Sequence, residues 1–437
     1  MIHFKNLVTV CGLTLLILSC KKEDTPDNNN NNNGGTVGFT PQPESKTLSA
    51  IFIRSFERDV LPYGTQYLTV FEPNGTVRWK KQRLGSKSQD ENIAYGNGML
   101  YFSEPRTTTT DDLYALDINT GSTVWSIINS SERKYYPVVR NDTLFCSTSF
   151  SYPGFGNITA FNARSGALIW RQALNYPYWP VYLKLDGNTL FFIISLTSGT
   201  DSKLISFNIN TRTVNWESAS LGINIASGFS QIAVSDSRVA VRNGTKLMMV
   251  FDKNTGATVW TKPGTPFEPP IIHESKMFTY CGRDIFYPVS NDSLMGLYAF
   301  DVTTGSQLWK KRMRIEIVSA TNPFVSGNML FHSGITKDDA TSPEKGYLKG
   351  FDMATGNEIW NVATGLTYEQ TCRHLTCVGN SVYAFKYPPP IGGPGLFARI
   401  VRYDYSTGQT KDSISIPGES FGKMFLLASD GKIYFPG

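Results

Sequence analysis

Eight copies of a short turn signature at a nearly constant period predict an all-β chain folded as an eight-bladed β-propeller of four-stranded antiparallel blades. Three observations carry that prediction. An apolar strand runs into Asp-x-x-Thr-Gly or a close relative eight times, as in Leu113-Tyr-Ala-Leu-Asp-Ile-Asn-Thr-Gly121. Seven copies then reach a Trp four residues beyond the Gly position, at Trp79, Trp125, Trp170, Trp216, Trp260, Trp309 and Trp360, with spacings of 46, 45, 46, 44, 49 and 51 residues. The apolar runs between these marks are short and rich in β-branched and aromatic residues, whereas a helical solenoid of similar period needs helix-length apolar stripes.

Each element of the repeat has a physical reason. The Gly of Thr-Gly suits a left-handed residue that closes a hairpin with a bulge. The preceding Asp, at Asp117, Asp252, Asp301 and Asp352, can accept the turn amides through its carboxylate. The Trp is large enough to fill a gap between neighbouring blades, and its indole N–H then needs an acceptor. A second hairpin precedes each of these turns. Its tight turn is marked by Gly96-Asn97, Asn141-Asp142, Gly187-Asn188, Gly327-Asn328 or Gly379-Asn380, pairs that tolerate positive φ. Two hairpins per period make four strands per blade. One copy departs, with Arg212 at the Gly position, and a relaxed turn is expected there because a non-Gly residue in that geometry costs about 1–2 kcal/mol.

The eighth copy, Tyr403-Asp404-Tyr-Ser-Thr-Gly408, has Asp412 where Trp is expected. The chain then ends on a hairpin, Met424–Phe435, with no Asp-Thr-Gly hairpin after it, and the first Trp hairpin has no complete hairpin before it. Joining the two closes the ring and removes exposed sheet edges. The apolar segment Leu48–Arg54 competes for a place in the same blade.

The first residues read as a targeting segment over 1–19, with Lys5 ahead of the apolar stretch Leu7–Leu18, which is short for a membrane span. Ile17-Leu-Ser-Cys20 resembles a bacterial lipobox; by that resemblance Cys20 is the lipidated first residue of the mature chain, which would then be an outer-membrane lipoprotein held to the membrane by a lipid anchor. Residues 20–47 have the composition of a tether, with six consecutive Asn at Asn28–Asn33, and 48–437 form the propeller. Lys-Glu-Asp directly after the Cys resembles the surface-export signal of Bacteroidetes lipoproteins, which implies exposure at the cell surface. The net charge of +5 is mild for 437 residues and no Lys/Arg run is sustained, so nucleic acid is not an expected partner. A monomer is expected. Cys372 and Cys377 either pair locally or remain free thiols.

The Ala-x-Asp-x-x-Thr-Gly-x-x-x-Trp pattern resembles the pyrroloquinoline quinone (PQQ) type propeller repeat over nearly the whole mature domain. That group has a branch of quinoprotein dehydrogenases and a branch of cofactor-free proteins such as BamB, the lipoprotein of the outer-membrane β-barrel assembly machinery. The enzyme branch implies PQQ with calcium, adjacent cysteines and a catalytic Asp in the funnel. Here no two Cys are adjacent, the repeat Asp residues belong to turns, and His273, His332 and His374 fall on different blades. No catalytic residue, metal or cofactor is therefore expected, with a PQQ-dependent oxidoreductase as the alternative.

Strand order places the tight turns on one face and the long, variable connections on the other, which is where binding concentrates. The long-loop face collects Tyr135-Tyr136-Pro137, Tyr152-Pro-Gly-Phe155, Tyr176-Pro-Tyr178-Trp179-Pro180, Phe267 among prolines, and Tyr387-Pro-Pro-Pro. Aromatics held by Pro lose little entropy on binding and suit a protein partner or a glycan. Tyr136, Tyr152, Phe155, Tyr176, Tyr178, Trp179, Phe267 and Tyr387 are the candidate contacts, set against the alternative that they pack onto the rim and lid the funnel. Together these features imply a non-catalytic binding or scaffolding protein.

Overall fold

The computed structural model describes residues 39–57, 65–83, 93–105, 110–128, 133–149, 156–176, 180–195, 201–222, 232–243, 247–263, 270–281, 296–312, 323–336, 345–365, 372–386, 398–416, 424–428 and 433–434. Every regular element among them is a strand.

The first blade takes β1 (Leu48–Glu57), β2 (Thr65–Phe71) and β3 (Val77–Arg83). Blade 2 is β4 (Ile93–Gly96), β5 (Met99–Pro105), β6 (Asp111–Asp117) and β7 (Thr123–Ile127). Blade 3 is β8 (Arg133–Arg140), β9 (Thr143–Ser149), β10 (Gly156–Asn162) and β11 (Leu168–Ala173). Blade 4 is β12 (Val181–Asp186), β13 (Thr189–Ser195), β14 (Ser202–Asn208) and β15 (Thr213–Glu217). Blade 5 is β16 (Ala233–Val234), β17 (Arg238–Asn243), β18 (Leu247–Asp252) and β19 (Thr258–Pro263). Blade 6 is β20 (Ile271–His273), β21 (Lys276–Cys281), β22 (Gly296–Asp301) and β23 (Gln307–Arg312). Blade 7 is β24 (Phe324–Ser326), β25 (Met329–Thr336), β26 (Lys345–Asp352) and β27 (Glu358–Gly365). Blade 8 is β28 (Cys372–Val378), β29 (Ser381–Lys386), β30 (Ala398–Asp404) and β31 (Thr410–Ile416), followed by β32 (Met424–Ala428) and β33 (Ile433–Tyr434). Each complete blade is an antiparallel meander in chain order. First strands of successive blades lie beside one another, β4 with β8, β8 with β12, and on to β24 with β28, and β28 in turn lies beside β32, so they gather around the axis. The Trp-bearing fourth strands lie at the outer edge.

The turn chemistry repeats as its sequence demands. Asp117 Oδ1 accepts the amides of Asn119 (2.9 Å) and Thr120 (2.8 Å) and the Thr120 hydroxyl (3.0 Å). Gly121 N–H donates to the Asp117 carbonyl at 2.9 Å, and Gly121 is left-handed at φ 70. Asp252, Asp301 and Asp404 hold their turns in the same way. The turn amides pull the carboxyl groups of Asp117, Asp252 and Asp301 below the usual carboxylate range. A bulge just ahead of each turn, as at Ala115/Leu116 and Ala299/Phe300, aligns the outer strand with its neighbour.

Trp79, Trp125, Trp216, Trp260, Trp309 and Trp360 each donate to a carbonyl in the turn of the next blade, whereas Trp170 lies under Arg212 of that turn. Trp79 Nε1 donates to the Ile118 carbonyl at 2.8 Å, Trp216 to Lys253 at 2.9 Å, Trp309 to Met353 at 3.2 Å and Trp360 to Tyr405 at 2.9 Å. The ring lies against the Gly of that same turn. A Cβ added to Gly256 would sit 2.4 Å from Trp216 Cε3, so this Gly is required both by its φ of 71 and by the indole above it.

The expected relaxation at Arg212 does not occur. Arg212 keeps φ at 61 and donates its amide to the Asn208 carbonyl at 2.8 Å. Its guanidinium instead covers the Trp170 ring, 5.4 Å from the centroid, and this cation–π contact offsets about 0.5–1 kcal/mol of the backbone cost.

The closing blade is five-stranded, in the order β3-β2-β1-β32-β33. The N-terminal strand β1 displaces nothing: it sits between the Trp hairpin and the C-terminal hairpin, pairing antiparallel with both β2 and β32. The last seam lacks a Trp and uses smaller parts. Ile414 lies over Gly75, where a Cβ would come 2.4 Å from its Cγ2. Asp412, at the vacant Trp position, pairs with Arg402, whose Nε lies 3.0 Å from its Oδ1. Cys377 is a buried free thiol, which removes the local disulfide: Cys372 and Cys377 lie five residues apart on one strand, a span of about 16 Å, beyond the reach of an S–S bridge.

Gly256→Ala is expected to lower stability by about 2–4 kcal/mol, combining left-handed strain with overpacking against Trp216. Arg212→Gly is expected to raise it by about 0.5–1 kcal/mol. Urea unfolding of the purified variants measures both.

Candidate functional site

The two faces have different chemistry. On the tight-turn face, side chains tie one blade to the next: Asn97 Nδ2 to the Asn141 carbonyl at 2.6 Å, Arg140 Nη1 to Asn188 Oδ1 at 2.6 Å, and Lys253 to Asp186. These groups satisfy one another. Of the aromatic candidates on the opposite face, Tyr136 and Tyr176 are described; Tyr152, Phe155, Tyr178, Trp179, Phe267 and Tyr387 lie outside the described residues.

Tyr176 follows β11 on the connection into blade 4. Its hydroxyl donates to Glu217 Oε1, and Glu217 Oε2 also takes Lys203 Nζ at 3.0 Å. The Tyr176 hydrogen bond, joined by Lys203, holds the Glu217 carboxyl below its ordinary pKa; burial and that same carboxylate push the phenol up. The ring packs beside the core shared by blades 3 and 4.

Tyr136 meets a residue that was not among the sequence candidates. Its ring lies 5.4 Å from that of Tyr182, tilted by 42°. Tyr136 has φ 51 and Tyr182 φ 58, and each sits in a β-bulge of an inner strand, between Tyr135 and Val138 in β8 and between Val181 and Lys184 in β12. A bulky residue at positive φ is an outlier whose cost of about 1–3 kcal/mol has to be supported by its surroundings. Here the support is core packing: Tyr136 abuts the cores of blades 3–4 and 4–5, and Tyr182 the latter. Both occupy the half of their strand that begins at the long-loop face. The one visible signal for Tyr182 was its place just after Trp179-Pro180, matching the position of Tyr136 in a second Tyr/Pro cluster.

Lys184 follows on β12. Its side chain is exposed, yet burial of its surroundings holds its pKa below the ordinary lysine value, with Asp186 acting in the opposite direction.

The histidines do not converge. His273 lies on β20 and His374 on β28. His332 is wholly buried between blades 6 and 7: Tyr347 Oη lies 2.9 Å from its Nδ1, the Tyr280 ring is 4.8 Å away, and Nε2 has no hydrogen-bond partner. Burial, assisted by Lys349, pulls its pKa down to about 3, so the ring stays neutral at physiological pH. Among the described residues no three His, Cys, Asp or Glu side chains are placed to hold a metal ion. The carboxylates that repeat, Asp117, Asp252, Asp301 and Asp404, are committed to turn amides.

These features define a class: an eight-bladed propeller whose blades are latched by Trp on an Asp-x-x-Thr-Gly turn. The family described as outer membrane protein assembly factor BamB matches residues 64–181, 154–294 and 289–426, and the chain belongs to that family. It is 24% identical over 261 residues to the outer membrane protein assembly factor BamB of Shewanella oneidensis, an alignment covering 57% of this chain and 58% of that protein. The chain thus spans less than two thirds of that relative. Among solved structures, BamB from Moraxella catarrhalis superposes with a TM-score of 0.50 at 15% identity, covering 76% of this chain and 88% of that one. A europium-containing methanol dehydrogenase does so with a TM-score of 0.50 at 11% identity, covering 84% of each chain. At such identities the likeness is one of fold.

The neutral buried His332 makes stability depend on pH. Its folded pKa lies below the unfolded value of 6.5, so the unfolded chain binds the proton first and stability falls as pH drops from 6.5 toward 3. The loss is on the order of 4 kcal/mol. His332→Gln is expected to flatten this limb in urea midpoints measured across pH, while the wild-type midpoint falls.

Proposed function

We propose that the protein is a non-catalytic, outer-membrane-anchored binding or scaffolding lipoprotein that engages a protein or a glycan through the long-loop face of the propeller. The observation that carries this reading is the strained pair Tyr136 and Tyr182, held in inner-strand bulges in the long-loop half of blades 3 and 4, with Tyr176 on the adjoining connection. Strain of this kind persists where the surroundings over-determine it and is concentrated at ligand-contacting positions. Membership of the BamB family supports a partner-binding role, and the commitment of the repeat carboxylates to turns counts against a funnel base. Tyr178 and Trp179 stand between Tyr176 and Tyr182 in sequence and are the aromatic candidates for the same partner. Cys20 supplies the anchor.

The test is retention of outer-membrane proteins and of an arrayed glycan set by the immobilised full chain. Tyr178→Ala with Trp179→Ala is expected to weaken capture at least about tenfold, the scale of losing an aromatic hot spot. Tyr136→Ala with Tyr182→Ala is expected to do the same, with unfolding midpoints reporting any general loss of fold. Unchanged capture by both pairs would place the site elsewhere. Saturable PQQ binding in the presence of Ca²⁺, read by visible absorption, would replace this reading with an oxidoreductase. Cys20→Ser is expected to move the protein from the membrane to the soluble fraction.

A further inference from the structure

Residues 41–47 precede the first strand and have no regular structure, yet they are fixed at several points. Gln42 N–H donates to Asn328 Oδ1 at 2.9 Å, and its carbonyl accepts the Tyr405 hydroxyl at 3.0 Å. That hydroxyl also lies 2.8 Å from the Ser326 carbonyl and 3.2 Å from Asn328 Oδ1. Glu44 pairs with Lys46 and lies 3.5 Å from the Gly327 amide. The segment therefore crosses the tight turn between the first two strands of blade 7, then that of blade 8, and enters β1 of the closing blade.

Two glycines show how close this approach is. A Cβ on Gly327 would lie 2.2 Å from the Gln42 carbonyl oxygen, and one on Gly379 would lie 2.2 Å from that of Lys46. The corresponding Gly187 of blade 4 has nearly the same φ, +54 against +53 and +58, and a Cβ there would meet nothing within 4 Å. Blades 2, 3 and 6 manage with Asn97, Asn141 and Glu274 at positive φ in the equivalent turn. Beneath the crossing lies the buried thiol of Cys377, whose pKa is raised to about 12 by burial, with Glu44 and Lys46 among the charges that act on it.

We propose that residues 41–47 are a docked strap that fixes the attachment point of the propeller on its tight-turn face, so that a bilayer holding the N-terminus lies on that side and the long-loop face is presented outward. The orientation rests on the lipid-anchor reading above; the docking of the strap does not. The Gln42 backbone of the strap is held by the side chains of Asn328 on blade 7 and Tyr405 on blade 8, so the chain joins the propeller at a set place rather than at a free end. The tight-turn face is already occupied by contacts among its own side chains, whereas the Tyr136 and Tyr182 surface lies on the far side from the attachment.

Two measurements test this. The first is alkylation of Cys377 in the full chain, followed by peptide mass. Gly327→Ala with Gly379→Ala is expected to speed it at least about tenfold by lifting the strap, while Gly187→Ala, which imposes the same backbone strain without the collision, leaves it unchanged. Equal rates in all three proteins would overturn the docking. The second uses full chain made by cell-free translation, with Cys11, Cys281 and Cys372 changed to Ser and Cys20 coupled to maleimide lipid in phosphatidylethanolamine/phosphatidylglycerol vesicles. Attachment is then independent of native lipidation, which the mass of the native N-terminal peptide reports separately. A donor dye clicked to an azide-bearing residue at Asn210, in a tight turn, is expected to transfer energy to acceptor lipid more efficiently than one at Asn175, on the long-loop side of the same sector. The two glycine substitutions should abolish that difference. Equal or stronger transfer from Asn175 in the parent chain, or a difference that survives strap release, would sink the proposed orientation.

Discussion

The contact between an indole ring and the turn of the next blade is the constraint on which the rest of the propeller depends. It draws on three things at once: a left-handed turn residue, which is Gly everywhere except at Arg212, a carbonyl aimed at the indole N–H, and a bulge that brings the outer strand to the correct height. Asp meets the first demand indirectly, because its carboxylate ties down the turn amides and fixes where the Gly falls. Trp79 on Ile118 and Trp360 on Tyr405 are therefore the same joint at different blades. Each joint links residues from two successive repeats, so a blade is stable only beside its neighbour, as expected of an array built from units with incomplete cores.

A ring built this way has a single vulnerable place, the seam where the two ends of the chain meet. There the parts change. Ile414 replaces the indole over Gly75, an Arg402–Asp412 pair stands at the Trp position, and β1 lies between strands from opposite ends of the chain. The strap over blades 7 and 8 adds a second closure on the same side of the ring. Tyr405 joins the two systems, since its carbonyl receives Trp360 while its hydroxyl holds Gln42. Closure is thus distributed between strand pairing, the strap and a core that includes Phe71, Tyr383 and Phe385, without a Trp at the outer joint.

This division of labour bears on function. Turns that must satisfy their own amides and accept a neighbouring Trp have little freedom to vary, so the tight-turn face is a structural surface. The connections on the other face carry no such obligation. Among the described residues, two tyrosines at positive φ and the Tyr176–Glu217 contact lie toward that side. They are clustered on blades 3 and 4, where the partner surface is proposed.

The sequence by itself determined the strand content, the number of blades, the role of each turn residue and the need of the indole for an acceptor. These are consequences of short-range chemistry: Asp117 and Thr120 are three residues apart, and a repeat reports its own period. It also left the first blade open between candidate strands, because strand pairing between the two ends of the chain has no local signature. The tertiary structure decided that all of them fit, in a sheet of five. It decided that Arg212 would keep a costly φ, since the compensating ring belongs to the preceding blade. It paired Tyr136 with Tyr182 across two blades and buried His332 between two others. The strap is the clearest case. Gln42 meets Asn328 across 286 positions and Tyr405 across 363, and the Gly residues beneath it are, in sequence, ordinary turn glycines. Only the close approach of one backbone to another distinguishes them, and such an approach exists only once the ring has closed.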